Sequence, residues 1–534
     1  MPQHRRNCKV SAPAGTDEQQ VVRALGSIGA ATLASRVLGF ARDMVIALTF
    51  GAGGVTDAFV VAFRIPNMLR RLLGEGALST AVVPVFTDYA LKGPRADFVR
   101  MVRAVLAAGL LVLSVVTACG VAGAPLILRV IAPGFTSDPA QASLTILLTR
   151  VMFPYLLLVG LGALAMGLLN THGRFFASAL GPALLNVGII AVVLLLARRV
   201  DPPILALAIG VLAGGVAQLL AQVPSLRRAG LLVGPSLDLR HPALGRVARL
   251  LLPAVFGLAA VQVTVFVNTL LASLLPAGSI SFLYYADRVM EFPLGIFGIA
   301  LASASLPAMS RAAARGDRRG LGTTLTFALG LSCYVAVPAT VGLVLLRAPI
   351  VRVLFERGEF TAADTLATAQ ALVGYAVGLA AFSGARIVAQ AFYALQEPAV
   401  AVKLGFVSVV VNVIAAVTLM GPLQHGGLAL ASSLGAWVNF GALAWVARAR
   451  FGGLDLRQLG ASLGRTALAS AVLGVFCIGC LWLWPAAPSR LRETAWLSGA
   501  VLAGAVVFWL ASALLRAPER LALLQLRGGR SRVL

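Results

Sequence analysis

The sequence predicts an all-α integral membrane protein with fourteen transmembrane helices, and three observations support this fold class. Hydrophobic residues make up 59% of the 534 residues, and the mean hydropathy is +0.91. Charged residues make up only 12% of the chain. Apolar runs of about 20 residues, long enough to span a bilayer, recur between clusters of Gly, Pro or charge. A soluble enzyme is therefore excluded.

The predicted spans follow one another through short connections, except for a longer outer connection at residues 347–363. No cleavable signal peptide is evident, because residues 1–20 are polar and the first apolar stretch is long enough to span. The spans are residues 22–50, 56–88, 97–131, 142–170, 175–197, 203–226, 244–275, 279–313, 321–346, 364–396, 398–421, 425–448, 460–485 and 494–516.

The basic residues predict the orientation. The chain has 44 Lys and Arg against 20 Asp and Glu, a formal net charge of +24. Most of the basic residues lie in the tails and the even-numbered connections, which is the bias of cytoplasmic loops. We therefore expect both termini in the cytoplasm. Since the positive charge follows membrane topology, we expect no nucleic-acid partner.

A faint internal repeat predicts two pseudo-symmetric lobes of six helices each. Asn186 and Asn412 are 226 positions apart, and Arg64 and Arg288 are 224 positions apart. Six helices per copy preserve orientation, so the repeat axis should lie along the membrane normal. The predicted organisation is a tail at residues 1–21, an N-lobe at 22–229, a C-lobe at 230–452, and the last two helices with a basic tail at 453–534.

Thirteen charged residues lie inside the predicted spans. A charge at the centre of a spanning helix costs about 2.5–3.5 kcal/mol, so together they would cost about 30–45 kcal/mol. They can persist only if they face one another across a water-filled cavity. Their sum is +3, which predicts a transporter for an anion, and guanidinium is the preferred partner of phosphate. They are Arg36, Arg42, Arg64, Arg70, Arg71, Arg150, Arg288, Arg386, Asp43, Asp57, Glu75, Asp287 and Glu291.

The first span carries Arg36, Arg42 and Asp43. Arg36 and Asp43 are seven residues apart, about 20° from alignment on a helix, and Gly39 between them permits a bend. The alternative is an Arg–Asp pair that only locks helix packing. One carboxylate cannot neutralise two guanidiniums, so we favour a substrate-binding site.

The second span places Asp57, Arg64, Arg71 and Glu75 along one helix face, with Arg70 beside them. Arg71 and Glu75 are four residues apart and can pair. Near the cytoplasmic end they suit, with Arg70, an inner gate that closes by ion pairing. The alternative is snorkelling to the inner surface, which suits Arg70 but not Asp57 or Arg64.

The eighth span carries Asp287, Arg288 and Glu291 at pairing distance along a helix. Because Arg288 matches Arg64 in the repeat, we expect the two to face each other across the central cavity. A purely structural pairing network is the alternative. Arg386 in the tenth span is an isolated cation that we expect to face the same cavity.

Sites of other kinds find little support. Cys477 and Cys480 have metal-motif spacing but lie in an apolar helix with no second pair. Arg150 stands near a helix start and suits a membrane boundary as well as a site. No metal-ligand cluster or catalytic motif is present in the sequence, so we expect no metal, no cofactor and no enzyme.

Five segments together resemble the MviN/MurJ family of lipid II flippases, within the multidrug/oligosaccharidyl-lipid/polysaccharide exporter superfamily. The resemblance runs from about residue 22 almost to the end. The segments are Ser35–Asp43 (SRVLGFARD), Phe50–Phe59 (FGAGGVTDAF), Phe63–Ser79 (FRIPNMLRRLLGEGALS), Ala132–Phe135 (APGF) and Tyr284–Pro293 (YYADRVMEFP).

The resemblance implies a bacterial inner-membrane flippase whose two lobes enclose a V-shaped cavity, with the last two helices forming a groove for the lipid tail. It implies lipid II, the undecaprenyl-pyrophosphoryl disaccharide-pentapeptide, as substrate. Membrane lipids and cell-wall synthesis proteins are candidate partners, and we expect a monomer. The family's essential cavity charges correspond to Arg36, Arg42, Asp57 and Arg288, and its gate to Arg71 and Glu75.

Two departures from the family pattern and three alternatives remain. Residues 1–20 extend beyond the usual start, as a dispensable tail or a misassigned initiation site. The spans at 244–275 and 398–421 contain no Asp or Glu, which puts sodium coupling in doubt. The alternatives are a flippase for another polysaccharide-lipid, a multidrug exporter, and a scaffold for cell-wall enzymes. A drug exporter would more often have an acidic cavity.

Overall fold

A computed structural model describes residues 17–72, 78–174, 176–236, 238–451, 454–484 and 489–521. These residues form helices joined by turns, and no strand occurs among them. The predicted all-α fold class is confirmed. The helices are α1 Asp17–Phe50, α2 Gly54–Leu72, α3 Leu78–Lys92, α4 Arg95–Ala122, α5 Ala124–Ile131, α6 Pro139–Met152, α7 Tyr155–Asn170, α8 Phe176–Ala179, α9 Gly181–Leu196, α10 Leu205–Leu220, α11 Val223–Arg228, α12 Pro242–Ser273, α13 Ser279–Pro293, α14 Ala300–Ala314, α15 Arg318–Leu345, α16 Arg347–Phe355, α17 Ala362–Ala376, α18 Leu379–Ala394, α19 Pro398–Phe451, α20 Leu456–Trp482 and α21 Arg490–Leu514.

Eight helical stretches of the described chain are long and apolar enough to cross a bilayer, which makes this a multi-pass membrane protein. The helix α19 contains two predicted spans, which meet at Gln424, a residue with non-helical φ of 50° and ψ of −132°. The predicted count of fourteen spans stays a prediction. The eight stretches are 95–122, 139–170, 205–228, 318–345, 362–394, 398–451, 456–482 and 490–514.

Two of the spans that carry the charges are broken helices, whereas the first, α1, is continuous. The predicted span 56–88 consists of α2 and α3, and α2 contains Pro66. The predicted span 279–313 consists of α13, a π-helical turn at Leu294–Ile299, and α14. A proline removes one backbone donor and crowds the preceding turn, so Pro66 and Pro293 weaken the helical ladder beside the charges.

The predicted connection at 347–363 contains a helix, α16, that sequence reasoning missed. Val351 and Phe355 of α16 are fully buried. The ring of Phe355 lies 5.0 Å from that of Tyr285 and 5.9 Å from that of Phe360. Burial of this apolar face stabilises a nine-residue helix that would be marginal by itself.

The helices pack as two groups. In the N-terminal half α1 packs on α9, α2 on α6 and α9 on α10, and in the C-terminal half α13 packs on α17 and α18 on α19. The last two helices lie outside both groups, where α20 contacts α15 and α21. The halves meet where α2 touches α13 and where α12 touches α3. The charged candidates lie along this junction.

Candidate functional site

Asp43 of α1 is the carboxylate around which the site is organised. It is 1% exposed, and its Oδ1 accepts hydrogen bonds from Arg42 Nε at 3.0 Å and Arg42 Nη2 at 2.7 Å. The Tyr284 hydroxyl of α13 donates to the same oxygen at 2.6 Å. Nε of Arg288, also on α13, lies 3.4 Å from Asp43 Oδ2. Asp43 therefore joins the two halves of the chain.

Arg42 is held by a second residue of the N-terminal half, Asn186 of α9. Arg42 Nη1 donates to Asn186 Oδ1 at 3.0 Å. Asn186 Nδ2 in turn donates to the Ser35 carbonyl, about two turns before Arg42 on α1, at 3.1 Å. Buried charge is tolerated when its donors are satisfied, so Asn186 fixes the direction of the guanidinium. Sequence reasoning used Asn186 only as a repeat marker.

Arg288 reaches the site from α13 in the other half. Its Nη1 donates to Glu291 Oε2 at 2.7 Å, and its Cζ lies 5.0 Å from the Tyr284 ring centroid. The side chain is 26% exposed, yet its Nε is buried and donates no hydrogen bond among the described residues. Arg288 is therefore held by ion pairs with Glu291 and Asp43, and its contact with Asp43 is longer than that with Glu291.

Arg64 of α2 lies in the same region, and its predicted position across a central cavity from Arg288 stays a prediction. It is half-buried and interacts electrostatically with Tyr375, Asp287, Arg288 and Tyr284. Two arginines at equivalent repeat positions thus lie beside one another at the junction of the halves. Like charges repel, so their proximity depends on the carboxylates between them.

Arg36 and Arg386 border the group. Arg36 is exposed, and its guanidinium lies against Gly295 of the π-helical turn, where any larger residue would collide with it. Arg386 of α18 is exposed and interacts electrostatically with Glu291. The described ion pairs of Asp43 are with Arg42 and Arg288, and Arg36 is not among them.

We define the arginine group as Arg36, Arg42, Arg64, Arg288 and Arg386. With Asp43, Asp287 and Glu291 as its carboxylates, its formal charge is +2. The sequence sum of +3 included charges that the structure places elsewhere, among them Arg150, which is exposed at the end of α6. The cationic character of the region is retained.

Asp57 lies in a different environment from the arginine group. Its Oδ2 accepts from the Gly278 amide at 2.6 Å, and its Oδ1 accepts from the Ser281 amide at 2.7 Å and from the Ser281 hydroxyl. Asp57 is 2% exposed and forms no ion pair among the described residues. A carboxylate at a helix N-terminus satisfies free amides and favours the helix dipole. Asp57 therefore fastens α2 to the start of α13.

Backbone contacts close the same end of the junction. The Glu359 amide donates to the Leu48 carbonyl at 3.1 Å, and the Gly134 amide donates to Ser273 Oγ at 3.2 Å. Gly358 has a φ of 56°, and it and Gly134 lie so close to the facing backbone that a Cβ would collide. These contacts join residues of the first half to residues of the second, so this end is shut.

The predicted gate is only partly described. Arg70 Nε donates to Asn67 Oδ1 at 3.1 Å within α2. Glu75 and the Arg71 side chain lie outside the described residues, so the predicted pairing of Arg71 with Glu75 stays a prediction. The structure instead describes another contact between α3 and α12. Asp88 bridges Arg246 at 2.9 Å and Lys92 at 2.8 Å.

Comparison with known proteins decides the family. A family model described as lipid II flippase MurJ matches residues 46–491. The chain belongs to the MurJ family. A lipid II flippase MurJ of Burkholderia cenocepacia is 39% identical over 424 residues, which cover 78% of this chain and 82% of that protein. A probable lipid II flippase MurJ of Vibrio cholerae is 38% identical over 426 residues, which cover 78% of this chain and 81% of that protein.

Solved structures share the fold of this MurJ family member. Lipid II flippase MurJ in an inward closed conformation matches with a TM-score of 0.76 at 24% identity, covering 91% of this chain and 98% of that one. An inward-facing multidrug resistance MATE family transporter of the MOP superfamily matches with a TM-score of 0.64 at 17% identity, covering 79% of this chain and 95% of that one. The family resemblance predicted from five segments is confirmed.

Proposed function

We propose that this chain is a lipid II flippase that moves the undecaprenyl-pyrophosphate-linked peptidoglycan precursor from the cytoplasmic to the periplasmic leaflet. Membership of the MurJ family supports this function. The observation that carries it is the arginine group at the junction of the halves, where Arg288 of one half lies 3.4 Å from Asp43 of the other. A cationic site shared by two halves can bind an anion and respond to it.

In the docking step, the diphosphate binds Arg36, Arg42, Arg64 and Arg288 while the isoprenoid stays in lipid. Planar guanidinium donates two parallel hydrogen bonds to a phosphate, and the Arg288 side chain is partly exposed, with its Nε near Asp43 but not hydrogen-bonded to it. The bound anion competes with Asp43 for Arg288. Substrate binding therefore weakens the Asp43–Arg288 contact and neutralises part of the +2 charge.

In the transport step, the two halves alternate between access from either side of the membrane. We place both termini in the cytoplasm, so that the end shut by Asp57, Gly134 and Gly358 faces the periplasm. Neutralising the arginine group lets the inner end close, and the contacts of Asp57 with Gly278 and Ser281 then open. The head group leaves outward, and the site returns empty.

Flipping of fluorescent lipid II in proteoliposomes tests the function. We expect Arg42→Ala and Arg288→Ala to abolish flipping, and Arg311→Ala, an exposed change at the end of α14, to leave it intact. Binding of lipid II should exceed binding of undecaprenyl phosphate, which lacks the sugars. Normal flipping by correctly inserted Arg288→Ala protein would refute the site and favour a non-transporting scaffold.

The membrane potential should assist both steps. An anion moving outward and an empty cationic site returning inward are downhill in an inside-negative potential, worth about 2.3 kcal/mol per charge per 100 mV. Lipid II flipping should therefore slow when an ionophore dissipates the potential. An unchanged rate would contradict the voltage dependence and leave the lipid II assignment standing.

We further propose that the functional unit is a monomer, since one chain supplies both halves of the site. Cell-wall synthesis proteins are proposed partners at the membrane. Single-molecule photobleaching of a labelled chain in nanodiscs should show one bleaching step with full lipid II binding. Activity that appears only in particles with two steps would contradict the monomer.

A further inference from the structure

A charged cavity of about 210 Å³ lies between α16 and the start of α21. It is at the end of the molecule where α1 contacts α16 and where Asp57 fastens the halves. Five charged side chains line it, and none belongs to the arginine group. They are Arg352, Glu356, Arg357, Arg490 and Glu493.

Arg352 and the two carboxylates form the fixed part of this cavity. Arg352 Nη2 lies 3.2 Å from Glu493 Oε1, and Arg352 Nε lies 3.5 Å from Glu356 Oε1. The Thr365 hydroxyl donates to Glu356 Oε2 at 2.7 Å. Arg352 therefore ties α16 to α21, and Glu356 is occupied from two sides.

Groups of both signs in this cavity keep hydrogen-bonding capacity. Glu493 is 5% exposed, and its Oε1 accepts no hydrogen bond despite the nearby guanidinium. Arg357 donates through Nη2 to the Val353 carbonyl at 2.8 Å, and Arg490 is exposed. Neither Arg357 nor Arg490 forms an ion pair among the described residues. Glu493 Oε1 is ion-paired with Arg352 but accepts no hydrogen bond, so it keeps acceptor capacity for water or a ligand.

The pattern of charges selects the ligand. A simple anion would satisfy Arg357 and Arg490 but would meet Glu493 with the wrong sign. A metal ion would be repelled by three arginines. A molecule that carries both a phosphate and an ammonium satisfies both signs, because phosphate accepts from the guanidiniums and ammonium donates to Glu493.

The surroundings favour a lipid as the source. Leu491, next to Arg490, is 83% exposed, and Trp482 at the end of α20 is 87% exposed. Apolar side chains of this kind beside a charged cavity at a helix end are typical of the membrane interface, where head groups lie. The cavity has room for several waters or a small head group.

We propose that this cavity binds a zwitterionic aminoalkyl phosphate of the phosphoethanolamine class, with the phosphate on Arg357 and Arg490 and the ammonium on Glu493. The ligand is a phospholipid head group or the free phosphate ester. The proposal does not rest on lipid II transport, because none of its residues belongs to the arginine group.

Lipid retention by the full chain tests the site. Protein in detergent is mixed with equal amounts of phosphatidylethanolamine, phosphatidylcholine and phosphatidylglycerol, and the bound lipids are counted by native mass spectrometry. We expect phosphatidylethanolamine to be retained about tenfold more than phosphatidylcholine, which has no N–H donor, and more than phosphatidylglycerol, which has no ammonium. Equal retention of all three lipids would overturn the proposal, and so would a preference for phosphatidylglycerol.

Two variants test the ammonium contact at Glu493 and the phosphate contact at Arg490 separately. Glu493→Gln should remove the preference for phosphatidylethanolamine over phosphatidylcholine, and Arg490→Ala should lower retention of both. Arg492→Ala is the matched control, because Arg492 is exposed on the same turn and does not line the cavity. Since Glu493→Gln disturbs a buried pair, Arg490→Ala at an exposed position keeps the test valid if the first variant misfolds. An equal effect of Arg492→Ala would overturn the site.

Competition with soluble O-phosphoethanolamine shows whether the ligand is a phospholipid head group or the free phosphate ester. If it displaces phosphatidylethanolamine at millimolar concentration, the cavity recognises the free ester as well. If it does not displace the lipid that the wild type retains, the lipid head group is the ligand. Both results support the site, whereas loss of retention in high salt without any lipid preference would contradict it. Lipid II flipping by the Arg490→Ala protein is measured separately. The retention assay tests the lipid-binding cavity and the flipping assay tests the flippase assignment, so failure of one proposal can be told from failure of the other.

Discussion

Asp57 and Ser281 form a bond between the two halves of the chain that resembles a helix cap. The carboxylate of α2 accepts from the Ser281 amide at 2.7 Å, and the Gly278 amide donates to its other oxygen at 2.6 Å. A helix start in one half is thus capped by a side chain of the other. Separation of the halves leaves those amides without this partner, so the bond favours the shut state of this end.

Asp57→Ala should shift the protein towards the state in which this end is open. Loss of a helix cap costs about 0.5–2 kcal/mol, or about 2- to 30-fold in an equilibrium. Labelling of a cysteine placed at Ser273, in a cysteine-free background, with a membrane-impermeant reagent measures the shift. Asp138→Ala is the control, since Asp138 caps α6 within one half. Equal labelling in both variants would contradict the role of Asp57.

Asn186→Ala should reduce lipid II flipping by about 5- to 150-fold. The change leaves Arg42 Nη1 and the Ser35 carbonyl without their partner, and an unsatisfied buried polar group costs about 1–3 kcal/mol. Asn412→Ala is the matched control, because Asn412 is a buried asparagine at the equivalent repeat position and contacts Ser432. We expect it to lower thermal stability without a comparable loss of transport. Similar losses of flipping in the two variants would show a merely structural role for Asn186.

Arg288→Lys should lower the flipping rate at least tenfold although the charge is kept. Lysine is a point charge, so it cannot donate to Glu291 and present a second parallel donor to a phosphate. The stack on Tyr284 is weakened as well. Arg311→Lys at an exposed position should have no effect. A wild-type rate for Arg288→Lys would mean that charge alone, without the guanidinium fork, binds the substrate.

The contact of Asp88 with Arg246 should help to hold α3 against α12 in a salt-dependent manner. Asp88→Arg should increase the distance between spin labels on the two helices, and the double change Asp88→Arg with Arg246→Asp should restore it. The Debye length falls from about 8 Å at physiological ionic strength to about 3 Å in 1 M salt, so the effect of the charge reversal should largely disappear in 1 M salt. A distance that does not respond to the charge reversal would show that packing alone fixes these helices.

Charge in apolar segments was sufficient to predict the membrane fold and to select Arg42, Arg64 and Arg288 as candidates. Helical spacing was not sufficient to predict their partners. Asp43 is seven residues from Arg36, yet three groups that the fold brings together occupy it: Arg42, Tyr284 and Arg288. Pairing across halves depends on how α1 lies against α13, and spacing within one helix does not contain that information.

Asp57 shows a second limit of sequence reasoning. It shares a helix face with Arg64, but the free amides at the start of α13 bind its carboxylate instead. Neutral partners were missed altogether, since a search for charge passes over Asn186 and Tyr284. The signal that could have identified Asn186 is a polar amide in the otherwise apolar stretch of α9.

The close approach of Gly134 to Ser273 determines which contacts must break when the shut end of the junction opens. Main chain meets main chain there, so parting these surfaces exchanges peptide groups for solvent and breaks no ion pair, and the Asp57 carboxylate at the same end is likewise held by neutral groups. Electrolyte concentration should therefore have little influence on opening at that point, in contrast with the opposite end. A larger side chain at position 134 would act as a permanent wedge.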